Sequence, residues 1–129
     1  MKRLALWLFV ALALVGGPSC SDSAGPVAGL LTVSLDTPNP GADGAMLLTV
    51  TGPEALTSAT APSGLRVFAQ PLGTATRFAV TGTLTNGAVL TIGVANRSKA
   101  AQYVATIQSV ATPAFQLRAL AGYSLTVAP

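Results

Sequence analysis

Histidine is absent from this chain, and cysteine occurs once, at Cys20. Hydrolases that rely on a histidine base are therefore excluded, as are zinc sites built on histidine or on several cysteines. A single cysteine also has no partner for a disulfide within the chain. The folded part must be stable without covalent cross-links.

Charge is also scarce, since charged residues make up 9% of the 129 residues, against about 25% in a typical soluble domain. Seven lysines and arginines against four aspartates and glutamates give a formal net charge of +3. Two of the cations, Lys2 and Arg3, belong to the leading segment, and the others are scattered: Arg66, Arg77, Arg97, Lys99 and Arg118. Nucleic-acid binding needs clustered cations, so no nucleic-acid partner is expected, and the scattered cations are predicted to be solvated.

The chain has one long apolar run, Leu4 to Val15, which follows Lys2 and Arg3. As a helix its twelve residues would cover about 18 Å of a hydrocarbon core about 30 Å thick. The cations, the apolar run and the small residues Gly16 to Ser19 are the three parts of an export signal. The sequence thus predicts an exported protein whose mature chain has no transmembrane helix.

Cys20 directly follows this signal, and the segment resembles a bacterial lipoprotein signal. Ser19 matches the small residue before the lipid-bearing cysteine, whereas Gly17 occupies the position at which leucine is usual. The resemblance implies removal of residues 1–19, acyl chains such as palmitate on Cys20, and a flexible tether over residues 20–29. The serine after the cysteine implies the outer membrane or cell surface. The alternative is an ordinary secretory signal that is cut next to Cys20.

From residue 30 onward, apolar side chains recur at every second position, which is the period of a β-strand. Seven strands are predicted, with the apolar sets Leu31–Val33–Leu35, Met46–Leu48–Val50, Leu65–Val67–Ala69, Phe78–Val80–Leu84, Leu90–Ile92–Val94, Tyr103–Ala105–Ile107 and Tyr123–Leu125–Val127. Residues 56–61 are a candidate for an eighth. Because no long amphipathic helix interrupts them, we predict an all-β fold for residues 30–129. It is an antiparallel two-sheet β-sandwich of about 7–9 strands, of the cohesin or immunoglobulin type.

Turn residues separate the predicted strands, and Asn86-Gly87 is the clearest turn because both residues tolerate positive φ. Residues 77–94 are therefore predicted to form a β-hairpin around it. Residues 115–120 fit two descriptions, an irregular strand or a single helical turn. Residues 96–98 are predicted to form a solvated turn.

Four short segments carry a resemblance to a known family. They are Gly-Ala-Asp-Gly at 41–44, Gly-Pro-Glu at 52–54, Leu-Thr-Asn-Gly at 84–87 and Gly-Tyr-Ser-Leu-Thr-Val at 122–127. Their order is similar to that in cohesin-like and carbohydrate-binding-module-like sandwiches, and in short, uncharacterised bacterial lipoproteins built on that plan. Cohesins bind dockerin partners through a sheet face, so the resemblance implies a binding module over residues 30–129.

The few carboxylates are the only candidates for acid/base chemistry. Glycoside cleavage needs two carboxyl groups about 5–10 Å apart, which two of Asp36, Asp43 and Glu54 would have to supply. All three fall at strand ends or turns, where carboxylates commonly cap loops, so no catalytic residue is predicted. Asp36, Asn39 and Asp43 lie within eight residues, and a calcium loop is the alternative to a plain turn there. The turn is expected, and neither a metal nor a cofactor is predicted.

Aromatic residues make up 5% of the chain, and its only tryptophan lies in the signal. Phe78, Tyr103 and Tyr123 share the register of the predicted core and are expected to be buried. Phe68 instead alternates with Arg66 and Gln70 on the opposite face of its strand. These three residues, Phe68, Arg66 and Gln70, are the predicted ligand contacts.

These features predict a membrane-tethered exported lipoprotein that acts as a non-enzymatic binding or structural module of the cell envelope. Its predicted partners are a membrane, through the acyl chains on Cys20, and an envelope protein or a glycan. The alternative is a secreted carbohydrate-binding module, which requires Phe68 or Tyr103 to be exposed beside polar side chains. A hydrolase is the third hypothesis and requires two facing carboxylates.

Overall fold

The computed structural model describes residues 25–129 and contains eight β-strands and one short 3₁₀ helix. The strands are β1 (Gly29–Asp36), β2 (Asp43–Thr51), β3 (Ser58–Thr60), β4 (Leu65–Leu72), β5 (Ala75–Leu84), β6 (Gly87–Val94), β7 (Val104–Ala111) and β8 (Ser124–Ala128). The helix covers Arg97–Gln102. The predicted signal, Cys20 and most of the predicted tether lie outside the described residues.

The strands form two antiparallel sheets of four strands each. The first sheet has the order β3-β6-β1-β8, and the second has the order β4-β5-β2-β7. The sheets pack face to face, so the prediction of an all-β sandwich is confirmed. The short eighth strand predicted within residues 56–61 is β3.

The core lies between the two sheets and consists of the apolar residues that alternate along the strands. Its buried members are Leu31, Val33, Leu35, Met46, Leu48, Val50, Phe78, Val80, Leu84, Val89, Leu90, Ile92, Val94, Tyr103 and Val110. Burial of each large apolar side chain contributes roughly 1.5–3 kcal/mol, and this burial drives the pairing of the two sheets. The intervening polar residues, such as Thr32 and Ser34, lie on the outer surfaces.

The predicted hairpin over residues 77–94 is wrong, because β5 and β6 belong to different sheets. The chain turns between Leu84 and Gly87, as the turn residues require, but it crosses from the second sheet to the first. Asn86 uses its side-chain carbonyl to accept a hydrogen bond from the backbone N–H of Thr37 (2.7 Å) instead of closing a hairpin. Turn chemistry specifies a reversal of the chain but leaves open which sheet the next strand joins.

The stretch predicted as a solvated turn at residues 96–98 begins the 3₁₀ helix. Asn96 caps this helix, because its side-chain oxygen accepts a hydrogen bond from the N–H of Ser98 (3.1 Å). The N–H of Arg97 donates to the carbonyl of Val27 (2.9 Å), which attaches the incoming chain to this region. Within residues 25–129 there is no helix long and apolar enough to cross a membrane.

The sandwich has two distinguishable ends. The incoming chain, the 3₁₀ helix and the start of β1 form one end, which we call the tether end. The turn after β1, Asp43 and the connection between β7 and β8 form the other, which we call the distal end. The eight residues of β1 run between the two ends, a distance of about 25 Å.

Candidate functional site

The second sheet turns one face to the core and the other to the outside, and we call the latter the outer face. Strand register aligns Phe68 with Ala79, Leu47 and Ser109 across this face. The side chain of Phe68 is 57% exposed and that of Leu47 is 43% exposed, with the small Ala79 between them. Neighbouring strands lie about 4.8 Å apart, so the two exposed side chains flank a shallow apolar dip about 10 Å wide.

All three predicted contact residues lie on the outer face. Arg66, Phe68 and Gln70 are exposed on the edge strand β4, with Arg66 opposite Thr81 and Gln70 opposite Arg77. Of the residues that the structure describes on this face, two are arginines and none is acidic. Their role in binding stays a prediction, but the structure supplies a surface that is partly apolar and positively charged.

A second exposed apolar feature lies where β7 ends, and we call residues 111–118 the tip hairpin. The N–H of Phe115 donates to the carbonyl of Thr112 (2.9 Å), and the N–H of Thr112 donates to the carbonyl of Gln116 (2.8 Å). Ala111 and Leu117 then pair across the hairpin. Residues 115–120 therefore contain no helical turn, and the single bridge at Leu117 is closer to the irregular strand of the two predicted alternatives.

Phe115 adopts an unusual conformation at the end of this turn. Its φ is +66°, which makes it the only non-glycine residue of the described chain with positive φ, and its side chain is 90% exposed. The position after such a turn normally holds glycine, because a left-handed conformation costs other residues about 1–2 kcal/mol. Sequence reasoning missed this residue, although Thr112-Pro113 is a turn signal that precedes it.

The tip hairpin continues the apolar surface of the outer face. Leu117, which is 77% exposed, lines a depression of about 220 Å³ together with Leu47. Phe115 lines a neighbouring depression of about 380 Å³ with Ala45 and Thr81 of the outer face. The side chains of Phe68, Leu47, Leu117 and Phe115 thus form one surface, which we call the apolar stripe.

Gly44 permits the close approach of the tip hairpin to β2. A Cβ at this position would lie 3.1 Å from the Cα of Pro113, which is tighter than most contacts of a real side chain. The register of β2 against β5 is also shifted next to it, between Asp43 and Ala45. A glycine within the strand therefore allows the turn to pack against the sheet.

Asp43 is buried and its carboxylate is fully engaged at the distal end. One oxygen accepts a hydrogen bond from the guanidinium Nε of Arg118 (2.7 Å), and the other accepts one from the hydroxyl of Tyr123 (2.6 Å). That hydroxyl in turn accepts a hydrogen bond from Asn39 (3.0 Å). The bond to Asp43 raises the pKa of Arg118, which keeps the guanidinium charged. Arg118, predicted to be solvated, therefore holds a structural ion pair.

The carboxylates of Asp43 and Glu54 do not converge. Asp43 begins β2 and Glu54 follows its end, so they are separated by the length of the strand, about 27 Å. Asp36 is exposed at the end of β1. In the part of the chain that the structure describes, histidine, cysteine, aspartate and glutamate form no group of three that could hold a metal ion.

The aromatic residues of the predicted core are covered, as expected from their register. Phe78 and Tyr103 are buried, and Tyr123 is half-buried. Burial, and secondarily the charge of Glu54, raise the pKa of Tyr103. Phe68 and Phe115 are consequently the exposed rings of the described residues.

Comparison of the chain with protein-family models, with curated proteins and with solved structures gives no match.

Proposed function

We propose that this protein is an exported lipoprotein, anchored through acyl chains on Cys20, that acts as a non-enzymatic binding module of the cell envelope and contacts its partner through the apolar stripe. The observation that carries the binding role is Phe115. Its side chain is held almost fully exposed on a backbone conformation that a bulky residue adopts only at a cost.

The tip hairpin forces this conformation on Phe115. Thr112 is bonded through its N–H, its carbonyl and its hydroxyl, the last of which accepts a hydrogen bond from the N–H of Gln116 (3.2 Å). These bonds define the turn and leave the ring without a place in the core. Backbone strain that the surroundings enforce is concentrated at functional sites, and large exposed apolar surfaces are typical of interaction sites.

The charges around the apolar stripe indicate the chemistry of the partner. Arg66 and Arg77 lie beside Phe68 on the outer face, where the described residues include no carboxylate. Much of the remaining outer face consists of threonine and alanine, which form a flat and weakly hydrated surface. A protein with an apolar centre and a neutral or acidic rim is complementary to this surface.

Site-specific photo-cross-linking of the full chain in intact cells tests this proposal. A photoreactive side chain at Phe115 or Phe68 is expected to give one discrete adduct with an envelope protein, and both positions should give the same adduct. The matched control is Thr126, which is exposed on the other sheet and should give none. Adducts of equal yield at all three positions, or no adduct from the apolar stripe, would contradict the proposal.

A glycan is the second candidate ligand, and the exposure of Phe68 beside Arg66 and Gln70 favours it. Tyr103, the other ring that this hypothesis could use, is buried. Binding to insoluble cell-wall polysaccharide should then be lost in Phe68→Ala and retained in Phe115→Ala. Equal loss in both variants would contradict a sugar stacked on Phe68, because the polysaccharide would then contact the apolar stripe as a whole.

A further inference from the structure

The outer edge of β4 is the most extensive strand edge that is left uncovered in residues 25–129. β3 has three residues and β8 has five, while β7 is flanked by β8 and pairs at its end with the tip hairpin. β4 has eight residues, pairs with β5 on one side only and contains no bulge. Natural edge strands are usually shortened, bulged, or guarded by charged residues or proline to prevent pairing with another chain. β4 is neither short nor bulged, and its only such guards are Arg66 and Pro71, which leave the centre of the edge from Val67 to Ala69 open to pairing.

The contacts at the two ends of β4 show which of its residues point their backbone N–H and carbonyl groups toward β5 and which point them outward. Leu72 and Ala75 flank a two-residue connection and pair with each other, so Leu72 points its backbone groups toward β5. Leu65 instead donates its N–H to the carbonyl of Pro62 (3.1 Å), so it points away from β5. Because these directions alternate along a strand, Val67 and Ala69 also point their N–H and carbonyl groups outward.

Val67 and Ala69 are the residues of this edge that can donate outward. Pro71 also points outward but has no N–H, and the N–H of Leu65 is already used by Pro62. Two free donors placed symmetrically about Phe68 are compatible with a self-complementary register. An antiparallel copy of β4 centred on Phe68 would exchange four N–H···O bonds, two between each Val67 and the Ala69 of the other copy. Registers shifted by one pair would keep four bonds but would place Phe68 opposite Gln70 or Arg66 of the other copy, and the aromatic pair would be lost.

We propose that β4 pairs with β4 of a second copy of this protein, with Phe68 opposite Phe68 of that copy, so that two second sheets join into one sheet of eight strands. The side chains of the outer face are compatible with this register. Phe68 faces its equivalent at a non-hydrogen-bonded position, where side chains are closest and aromatic pairs stabilise a sheet. Arg66 faces Gln70 of the second copy, so no like charges oppose each other.

The inner side of β4 fits the same register. Ala69 and Pro71 are exposed although they line the groove of about 210 Å³ between β3 and β4, because β3 is too short to cover them. In the paired arrangement, Val67 and Leu65 of the second copy lie opposite Ala69 and Pro71. The larger side chains of each strand thus cover the smaller side chains of the other strand. The two-fold symmetry of the pair repeats this contact on both copies.

This pairing goes beyond the proposed function and does not depend on the ligand of the apolar stripe. It would place two copies of Phe68 and Arg66 side by side, which doubles the surface offered to a partner. A protein that is monomeric in the absence of a partner would overturn the pairing and leave the binding role intact.

Disulfide trapping of the full chain in an exported, oxidising compartment tests the register. Phe68→Cys is expected to give a disulfide-linked dimer, because the two Cα atoms at this pair would be about 4.5 Å apart. Arg66→Cys and Gln70→Cys are the matched controls. Each faces a different residue and lies about 14 Å from its own equivalent, so neither should link alone. When the two control variants are produced in the same cells, the cysteine at position 66 of one should form a disulfide with the cysteine at position 70 of the other. The unsubstituted chain, whose only cysteine is Cys20, should form no disulfide-linked dimer.

Linkage at all of these positions, or at none, would overturn the proposal. An adduct of Phe68→Cys with a different protein, and no self-linked dimer beside it, would also overturn it. Native mass spectrometry of the detergent-extracted full chain provides a second measurement. A dimer is expected, and Val67→Pro or Ala69→Pro should make it monomeric with an unchanged far-ultraviolet circular dichroism spectrum, because the lost N–H points away from β5. A folded proline variant that remains dimeric would contradict the pairing.

Discussion

At the scale of single residues, the two tyrosines of the described chain place the same hydroxyl group in opposite surroundings. The hydroxyl of Tyr123 donates to Asp43 (2.6 Å) and accepts from Asn39 (3.0 Å). The hydroxyl of Tyr103 is buried and has no hydrogen-bond partner. Removal of a paired hydroxyl leaves its partners unsatisfied, whereas removal of an unpaired one relieves a desolvation cost.

We therefore expect opposite effects from two identical substitutions. Tyr123→Phe should lower the free energy of unfolding by about 1.5–3 kcal/mol, because it removes a hydrogen bond to a buried carboxylate. Tyr103→Phe should leave the free energy of unfolding unchanged or raise it by up to about 1 kcal/mol. Urea unfolding at neutral pH measures both, and each variant serves as the control for the other. A larger loss from Tyr103→Phe than from Tyr123→Phe would contradict this expectation.

Tyr103 should also contribute to alkaline denaturation, because burial and the charge of Glu54 raise its pKa above the ordinary value of about 10. Above that pH the unfolded chain has lost the phenolic proton while the folded protein retains it, so the free energy of unfolding falls as pH rises. Tyr103→Phe should flatten this fall from about pH 10, the ordinary tyrosine pKa, upward. Urea unfolding across this range, with the unsubstituted protein as reference, measures the slope. An identical slope in both proteins would show that Tyr103 does not contribute.

At Phe115, one substitution is expected to raise stability and to abolish binding. Phe115→Gly is expected to raise the free energy of unfolding by up to about 1 kcal/mol. It removes the left-handed strain of about 1–2 kcal/mol and adds a smaller entropic cost of about 0.5–1 kcal/mol. The same variant should lose the partner adduct of the apolar stripe. Ala114→Gly is the control, since its φ is not positive, and it should be destabilising. A marked loss of stability in Phe115→Gly would indicate that the ring supports the fold.

At the scale of elements, Asp43 joins three connections that come from distant parts of the chain. Its carboxylate binds Arg118 and Tyr123 of the segment between β7 and β8. It also lies 3.4 Å from the hydroxyl of Thr37, in the turn after β1. Thr37 is in turn bonded to Asn86, between β5 and β6. The distal end is thus held together by one polar network that links the two sheets.

Asp43→Asn should disrupt this network. We expect a loss of about 3 kcal/mol in the free energy of unfolding, because a buried ion pair is broken and one acceptor of the hydroxyl network is changed. The matched control is Asp36→Asn, an exposed carboxylate at the end of β1, which should change stability by less than about 0.5 kcal/mol. Urea unfolding of both variants measures the difference. Similar stabilities for the two would mean that the network contributes little.

At the scale of the whole molecule, the incoming chain and the tip hairpin lie at opposite ends of the sandwich. The described chain enters at the tether end, where Val27 is bonded to Arg97, and Phe115 lies at the distal end. These ends are separated by a strand length, about 25 Å. The tip hairpin is therefore the part of the domain farthest from the point at which the described chain enters.

Cys20→Ala should release the protein from membranes without changing its fold. Acyl chains contribute about 0.8 kcal/mol per buried CH₂, and the anchoring rests on several chains at one residue. Membrane fractionation and intact mass of the protein produced in a bacterial host provide the measurement. A mature species that begins at Cys20 with acyl mass is expected only in the unsubstituted protein. If both proteins are soluble and are cleaved at another residue, the lipid anchor is contradicted and the leading segment is an ordinary secretory signal.

Sequence reasoning predicted the strands but only part of the candidate site. The alternation of Arg66, Phe68 and Gln70 placed these residues on one face because the side-chain direction of a strand follows from position alone. Phe115 escaped prediction, since its exposure depends on how Thr112 closes the tip hairpin and on where β2 lies. A turn signal precedes it, but the positive φ of an aromatic residue contradicts the usual residue preference.

The sequence by itself determined the all-β class, the inward faces of the strands and the burial of Phe78 and Tyr103, because a period of two is a local property of the backbone. The tertiary structure alone decided which sheet each strand joined, and so separated β5 from β6. It also decided the partner of Asp43, since Arg118 lies 75 positions away along the chain. Pairing partners and polar contacts of this kind are set by which residues the packed core brings together, and no local pattern specifies them.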